Sequence, residues 1–346
     1  MTKTLKVAVL GATGMVGQRF MTLLDGHPGF RVTELVASER SAGKTYGEAA
    51  HWVLHDPLPR WARDTVVKLP TDDLDVDLCF SAIPAKTAGP VETELAKKGH
   101  RVFTNARDHR WDADVPLLVP EVNPDHLALV RRQQHGDGFI VTNGNCSTIV
   151  LVMTLKPLAD AFGIRRVNVT TFQAVSGAGY PGVPSIDIMG NVVPYIGGEE
   201  EKMEREPLKM LGALDATGVQ PADLSVSATC VRVPVEEGHS EDVRVLLGRD
   251  ATPEEVAEVM RAWRARPQHL KLPSAPEAPL LVADEANRPQ PKKDWKSGRG
   301  MSVTVGRIRK DPHMTVKYFA SGSNTVRGAA GSNVLGAELA MAEGYL

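Results

Sequence analysis

Cys146 stands in the polar hexapeptide Asn143-Gly144-Asn145-Cys146-Ser147-Thr148, which opens onto the apolar run Ile149-Val150-Leu151-Val152-Met153. The pattern predicts a thiol at a helix start. There the free backbone N–H groups and the positive end of the helix dipole favour a thiolate, the nucleophilic form of cysteine. The same residues also fit an inert small side chain at a helix start, with Asn145 or Ser147 as its cap. Cys79, within Val76–Phe80, and Cys230, within Val226–Val233, fall in strand patterns and read as core. Among ten histidines, His239 is set apart by Arg232-Val233-Pro234-Val235-Glu236-Glu237-Gly238-His239, which puts it just beyond a strand end at a glycine-bearing turn. An imidazole there can shuttle a proton, and Arg232 can grip a carboxylate with two parallel hydrogen bonds. Singly, each also fits a structural role, His239 in the turn and Arg232 in a surface pair.

A second motif supplies a partner for the thiol. Gly11-Ala12-Thr13-Gly14-Met15-Val16-Gly17 follows the strand Val7–Leu10 directly and opens a helix. This is the strand–turn–helix setting of a dinucleotide-binding turn, one residue longer than G-x-G-x-x-G. Gly11 permits the tight turn, Gly14 lets a pyrophosphate approach backbone N–H groups, and Gly17 allows close helix–strand packing. The second strand runs into Ser38-Glu39-Arg40-Ser41-Ala42-Gly43-Lys44. Hydroxyls beside Arg40 and Lys44 suit a ribose 2′-phosphate, so NADP is the expected cofactor. A nicotinamide beside an activated thiol implies aldehyde–thioester redox chemistry.

These residues need a scaffold. The first ~145 residues alternate apolar strands (Leu5–Leu10, Val32–Ala37, Val76–Ser81, Val102–Thr104, Phe139–Thr142) with helices from Met15 and across Val91–Lys98, predicting a doubly wound parallel sheet. From Cys146 onward one helix precedes longer alternating strands, Ile164–Ala174, Ser225–Pro234, Glu241–Leu247, Met301–Arg309 and His313–Ala320, which predict a largely antiparallel α+β domain. Thr252-Pro253-Glu254-Glu255 starts an amphipathic helix. The proline-rich Leu270–Gly300 reads as a surface excursion, and Asn324–Tyr345 as a helix able to return to the first domain. The expected division is 1–145 plus 325–346 for the cofactor and 146–324 for catalysis.

Bulk properties narrow the partners. With 346 residues, 40 basic and 42 acidic side chains and a net charge of −2, nothing favours nucleic acid or an anionic membrane, and a small molecule is the expected partner. Three unclustered cysteines argue against disulfides and a zinc site and point to a reducing cytosol. No metal is expected. No signal peptide or membrane span is legible, so the expected location is cytoplasmic.

The chain resembles the aspartate-β-semialdehyde dehydrogenases, in particular their archaeal and fungal branch. The resemblance is carried by Gly11–Gly17, Asn105–Arg110, Val115–Asn123, Asn143–Thr148, Gln173–Gly182, Gly197–Lys202, Arg232–His239 and Asn324–Gly331, and runs nearly end to end. It implies a Rossmann-type α/β domain with a second, α+β catalytic and dimerisation domain. It implies Cys146 as nucleophile, His239 as acid/base and Gln173 as the amide orienting the acyl intermediate. Arg232 would hold the substrate carboxylate, Glu199 the amino group, and Arg110 and Lys202 the phosphate, with Asn145 also at the substrate. The register of Glu199-Glu200-Glu201 is open by one residue. The expected cofactor set is Gly11, Thr13, Gly14, Met15, Val16, Gly17, Ser38, Arg40, Ser41, Lys44, Ser81, Ser176, Gly177 and Asn324.

The implied reaction is NADPH-dependent reductive dephosphorylation of L-4-aspartyl phosphate to L-aspartate 4-semialdehyde. It runs through a thioester on Cys146, feeds lysine, methionine and threonine synthesis, and is carried out by a homodimer or homotetramer. The rival readings are a malonyl-CoA or succinyl-CoA reductase, an N-acetylglutamyl-phosphate reductase, and a cofactor-binding regulator without catalysis.

Overall fold

The computed structural model describes residues 4–85 and 87–346, and the chain gathers into two compact units. The first comprises Met1–Leu118, Asp125–Asn143 and Ala329–Leu346. Its strands are β1 (Leu5–Leu10), β2 (Phe30–Val36), β3 (Val67–Lys68), β4 (Leu78–Ser81), β5 (Arg101–Thr104) and β6 (Phe139–Thr142). They form one parallel sheet in the order β3-β2-β1-β4-β5-β6. Both faces are covered, which is why β4 and β6 read as continuous apolar runs rather than alternating ones. On one face Phe80 stacks on Phe20 of α1 (Met15–Leu24) and touches Phe30 and Phe103, with Phe139 beyond. The opposite face gathers Ala8, Leu10, Cys79, Val102 and Ile140. Leu95 and Ala96 join it from α3 (Ala88–Lys97), the short helix α2 (Tyr46–Ala49) lying between. Cys79 is thus core. The sheet order reverses between β1 and β4, and the glycine turn after β1 sits at that switch point.

The second unit, Val119–Pro124 and Gly144–Gly328, holds a six-stranded sheet in the order β10-β7-β11-β14-β13-β12. These are β7 (Ile164–Gln173), then, past a two-residue hairpin β8 (Ala213–Leu214) and β9 (Val219–Gln220), β10 (Ser225–Arg232), β11 (His239–Leu247), β12 (Leu280–Ala283), β13 (Val303–Lys310) and β14 (Val316–Gly322). The three central pairings are antiparallel, but both edge pairings, β10 on β7 and β12 on β13, are parallel. The sheet is therefore mixed, and less antiparallel than strand alternation implies, because alternation reports burial of one face and not strand direction. Helices α4 (Cys146–Phe162), α6 (Glu199–Met210) and α7 (Pro253–Ala262) cover one face. The short α5 (Ser185–Ile188), α8 (Arg266–His269) and α9 (Pro291–Asp294) sit in the connections. On the other face Arg166, Asn168, Ser227, Thr229 and Arg244 are exposed.

Two expectations change. The segment 270–300 is more than a surface excursion, since its Leu280–Ala283 adds an edge strand to the sheet. A single helix over Asn324–Tyr345 is replaced by a π-helical turn, Val326–Ala330, leading into α10 (Gly331–Ala342). Within the first unit α10 packs on α1, and its Glu338 meets His27 at 2.7 Å in a buried pair.

Within the second unit Glu121 and Arg327 form a fully buried bidentate ion pair at 2.7 and 2.9 Å, with Arg327 Nε donating to the Met301 carbonyl. An unpaired charge so deep would be untenable, so both ends are matched.

Candidate active site

Asn145 starts the site. Its Oδ1 accepts from the backbone N–H groups of Ser147 and Thr148, both at 3.1 Å, making it the N-cap of α4 and Cys146 the first helical residue. Its Nδ2 donates to Glu199 Oε2 at 2.8 Å, and its own N–H is held by Glu206 Oε2 at 2.7 Å. Glu199, Met203, Glu206 and Met210 are the buried stripe of an otherwise polar α6. Glu199 is thus the member of its acidic run that faces the site. Glu200 caps the Cys230 N–H, and Glu201 pairs with Arg205 on the exposed side.

Cys146 Sγ lies 3.2 Å from Nε2 of His239. That histidine is the first residue of β11 rather than a loop residue past the preceding strand, so strand pairing fixes its backbone: its neighbour Ser240 pairs with Phe172 on β7. Its Nδ1 accepts the Ala174 N–H at 3.0 Å. The Ala174 carbonyl accepts Nη1 of Arg232 at 2.7 Å, so the main chain of one residue, through its N–H and its carbonyl, ties the imidazole to the guanidinium. Gln173 donates to Thr171 Oγ1 at 3.2 Å and to Glu199 Oε2 at 3.3 Å, and Lys202 pairs with Glu199 Oε1 at 2.5 Å. Thiol, imidazole, amide, guanidinium, carboxylate and ammonium, all read from the sequence, converge in one unit.

Close packing holds the cluster. A Cβ on Gly177 would lie 2.9 Å from Arg232 Nη1 and from His239 Cε1, and one on Gly328 would lie 2.7 Å from Cys146 Cβ. Asn324 donates to Ser176 Oγ at 2.9 Å and accepts the Gly238 N–H at 2.9 Å, bracing the turn before His239.

The electrostatics correct one expectation. Burial, reinforced by Glu199, pushes the Cys146 thiol up to about 12, outweighing Lys202, Arg232 and the helix start. Burial and the Arg232 charge bring the His239 imidazole down to about 3. The resting pair is therefore a neutral thiol beside a neutral imidazole, not the thiolate that a helix start alone implies. Burial also opposes the charge on Glu199. Lys202, by charge and hydrogen bond, with Asn145 and Gln173, nevertheless holds that carboxyl below its ordinary value.

The residues of the first unit expected to hold the cofactor follow β1, β2 and the end of β4, with the glycine turn at the sheet's switch point. Gly11 has φ +74°, and a Cβ there would strike the Ala82 carbonyl at 2.6 Å; one on Gly17 would strike the Gly11 carbonyl at 2.3 Å. Gly14 is the N-cap of α1 and makes no side-chain cap hydrogen bond, so it leaves the first N–H groups of the helix without the oxygen that a Ser or Asp cap would offer them. This turn fits a pyrophosphate. The loop after β2 is folded by N–H groups of Ser41 and Ala42 on the Ser38 carbonyl, with Lys44 on the Arg40 carbonyl and Ser38 and Arg40 exposed. Ser81 is turned inward, its hydroxyl donating to Glu92 at 2.6 Å. Arg110 is buried and donates to the Asn105 carbonyl at 3.1 Å.

Three features escaped the sequence. Glu206 was signalled only by its seven-residue spacing from Glu199, two helical turns on one face. Glu121 and Arg327 were signalled by lone charges in apolar stretches. The Ala174 peptide acts through its main chain and leaves no signature in residue type. Among the described residues no cluster able to hold a metal occurs, and no helix is long and apolar enough to cross a membrane.

A doubly wound sheet with a glycine turn at its switch point, joined in sequence to a unit carrying a cysteine–histidine pair, defines the dehydrogenases that work through a cysteine thioester. Family models described as the semialdehyde dehydrogenase NAD-binding domain and dimerisation domain match residues 6–130 and 155–327. The aspartate-semialdehyde dehydrogenase of Methanothermobacter thermautotrophicus is 54% identical over 96% of this chain and 98% of its own length. The crystal structure of the Candida albicans enzyme with NADP is similar with a TM-score of 0.93 and 40% identity, covering 99% of this chain and all of that one. A Vibrio cholerae aspartate-semialdehyde dehydrogenase II complexed with ASA follows at TM-score 0.79 and 28% identity, covering 99% of each chain. The chain belongs to the aspartate-semialdehyde dehydrogenase family.

Proposed function

We propose that this enzyme reduces L-4-aspartyl phosphate to L-aspartate 4-semialdehyde with release of phosphate, and runs the phosphate-dependent oxidation in reverse. The observation that carries the reading is the 3.2 Å approach of Cys146 Sγ to His239 Nε2, with Gln173, Glu199, Lys202 and Arg232 gathered in the same unit. Cys146 attacks the acyl carbon, phosphate departs, and a thioester forms. Arg232 grips the substrate carboxylate, and Glu199 receives its amino group. Lys202 offers charge to the phosphate, and Arg110 takes the same role by family resemblance. Gln173 orients the acyl group, and Asn145 keeps Glu199 in place. Nε2 of His239 faces the sulfur and the oxyanion that forms beside it.

NADP is held by the Gly11–Gly17 turn, with Ser38, Arg40, Ser41 and Lys44 at the 2′-phosphate, and by Ser81, Ser176, Gly177 and Asn324. When bound, its reduced nicotinamide supplies the hydride that converts thioester to aldehyde. The reaction serves lysine, methionine and threonine synthesis in a reducing cytosol. The working form is a homodimer or homotetramer through the second unit.

The test is NADP reduction with L-aspartate semialdehyde, with and without phosphate, beside malonyl-CoA with NADPH. Strict phosphate dependence is expected, and turnover of malonyl-CoA alone would overturn the substrate assignment. Cys146→Ala should abolish turnover while leaving NADP affinity intact; residual turnover near the wild-type rate would remove Cys146 from the chemistry.

A further inference from the structure

Tyr46 opens α2 and is fully buried, its hydroxyl donating to the Ala12 carbonyl at 2.9 Å. Ala12 is buried too, and stands in the glycine turn after β1. A trans peptide points its carbonyl and its N–H in opposite directions. The bond that draws the Ala12 carbonyl inward therefore turns the N–H of the same peptide unit, that of Thr13, outward. Burial pushes the Tyr46 phenol well above its ordinary range, so the hydroxyl keeps the hydrogen that it donates.

The next carbonyl is held as well. Gln18 Nε2 donates to the Thr13 carbonyl at 3.2 Å and to the His51 carbonyl at 2.7 Å. Its Oε1 accepts the Val53 N–H at 2.9 Å, and a peptide N–H can only donate, so the amide cannot be the other way round. The Gly14 N–H closes the turn on the Gly11 carbonyl at 3.0 Å, and the Ala12 N–H returns to the Val36 carbonyl at 3.0 Å. Half-buried Thr13 is left with an N–H that has no partner among the described residues.

We propose that Tyr46 is a positioning residue of the cofactor turn: its hydroxyl aims the Thr13 N–H at the pyrophosphate and keeps the Ala12 carbonyl, which would repel that anion, on the far side. This rests on the placing of NADP at the Gly11–Gly17 turn proposed above. Tyr46 follows two residues after Lys44, so one side chain ties the loop offered to the 2′-phosphate to the turn offered to the pyrophosphate. The loop also has supports of its own. The Tyr46 N–H is bound to the Thr65 carbonyl at 2.8 Å, the Val67 N–H to the Lys44 carbonyl at 2.9 Å, and the Gly43 N–H to the Val67 carbonyl at 2.9 Å. Loss of the hydroxyl alone leaves these in place.

Tyr46→Phe keeps the ring and its packing but deprives the Ala12 carbonyl of its donor. A buried carbonyl without a donor is unfavourable, so the peptide turns it toward water, the side of the anion.

The experiment measures Kd by calorimetry on the full-length, ligand-free enzyme with two probes, NADP and adenosine 2′-phosphate, which lacks the pyrophosphate. In Tyr46→Phe the Kd for NADP should rise at least about tenfold, the scale of a charge-assisted hydrogen bond, while that for adenosine 2′-phosphate stays within about twofold. An unchanged Kd for NADP overturns the proposal. Equal loss for both probes overturns it as well, since Tyr46 would then support the whole loop and not the turn. Gly14→Asp, which sets a carboxylate cap over the helix start, separates the proposal from the reading beneath it. Its affinity for NADP should collapse. Were that affinity unchanged, the turn would not hold the pyrophosphate and both would fall; a collapse there beside an unchanged Tyr46→Phe would refute the role of Tyr46 alone.

Discussion

Replacing Gly328 with alanine puts a methyl group 2.7 Å from Cys146 Cβ, 3.0 Å from its Cα and 3.1 Å from its carbonyl oxygen. None of these is the end of a flexible side chain. Ordinary contact begins at 3.4 Å, so from 2.7 Å the cysteine or the π-helical turn must yield by about 0.7 Å. The turn is pinned by the buried Arg327–Glu121 pair next to it, and Cys146 is pinned by the Asn145 cap. The shift therefore falls partly on the sulfur, 3.2 Å from Nε2. Misplacement by about 1 Å costs on the order of 10²-fold in rate, so Gly328→Ala should lower kcat/KM by roughly 10- to 100-fold. Overpacking should lower stability by about 1–3 kcal/mol. The assay is phosphate-dependent NADP reduction with L-aspartate semialdehyde, with chemical denaturation to show that the variant is folded. A folded Gly328→Ala enzyme of wild-type kcat/KM would refute the view that this glycine sets the sulfur.

Because the resting thiol is pushed up to about 12, alkylation of Cys146 in ligand-free enzyme should rise with pH. The rise should be about tenfold per unit without levelling below about pH 10, and a plateau near neutrality would show a preformed thiolate. Arg232→Lys keeps the charge but loses the planar fork and should raise KM for the semialdehyde by roughly 10- to 100-fold; an unchanged KM would make Arg232 scaffold. Glu121→Gln strands the Arg327 charge and should cost about 3–5 kcal/mol in denaturant unfolding, a cost absent if the pair is dispensable. Glu241 on β11 is buried, and neither carboxylate oxygen has a hydrogen-bond partner among the described residues. Burial lifts its carboxyl well above the ordinary value, so the folded state keeps it protonated while the unfolded chain ionises it. Wild-type stability should therefore fall as pH rises above the ordinary carboxylate range. Glu241→Met should gain about 1–3 kcal/mol, with the margin wider at pH 8 than at pH 5; a margin independent of pH would contradict that protonation state.

The first sheet was legible because each strand–helix alternation leaves its own period, and Gly11 and Gly17 mark places where no side chain fits. Cys146, Arg232 and His239 were legible as candidates from residue type and from the turns beside them. Strand direction in the second sheet was not, since β10 and β12 alternate alike whichever way they run. The ionisation of Cys146 was misjudged because local helix position is visible in sequence, whereas its burial, to which the Gly328 turn contributes, and the charge of nearby Glu199 are assembled from distant segments. Ala174 was invisible for a simpler reason: any residue there except proline has the same N–H.

The Glu121–Arg327 contact joins positions 206 residues apart. That contact forms only after residue 327 has been synthesised, and Ala329–Leu346 of the other unit appears later still. Neither unit is complete until those residues have been made, so a message broken shortly before codon 327 yields a chain lacking the Arg327 end of the buried pair and the last segment of the first unit.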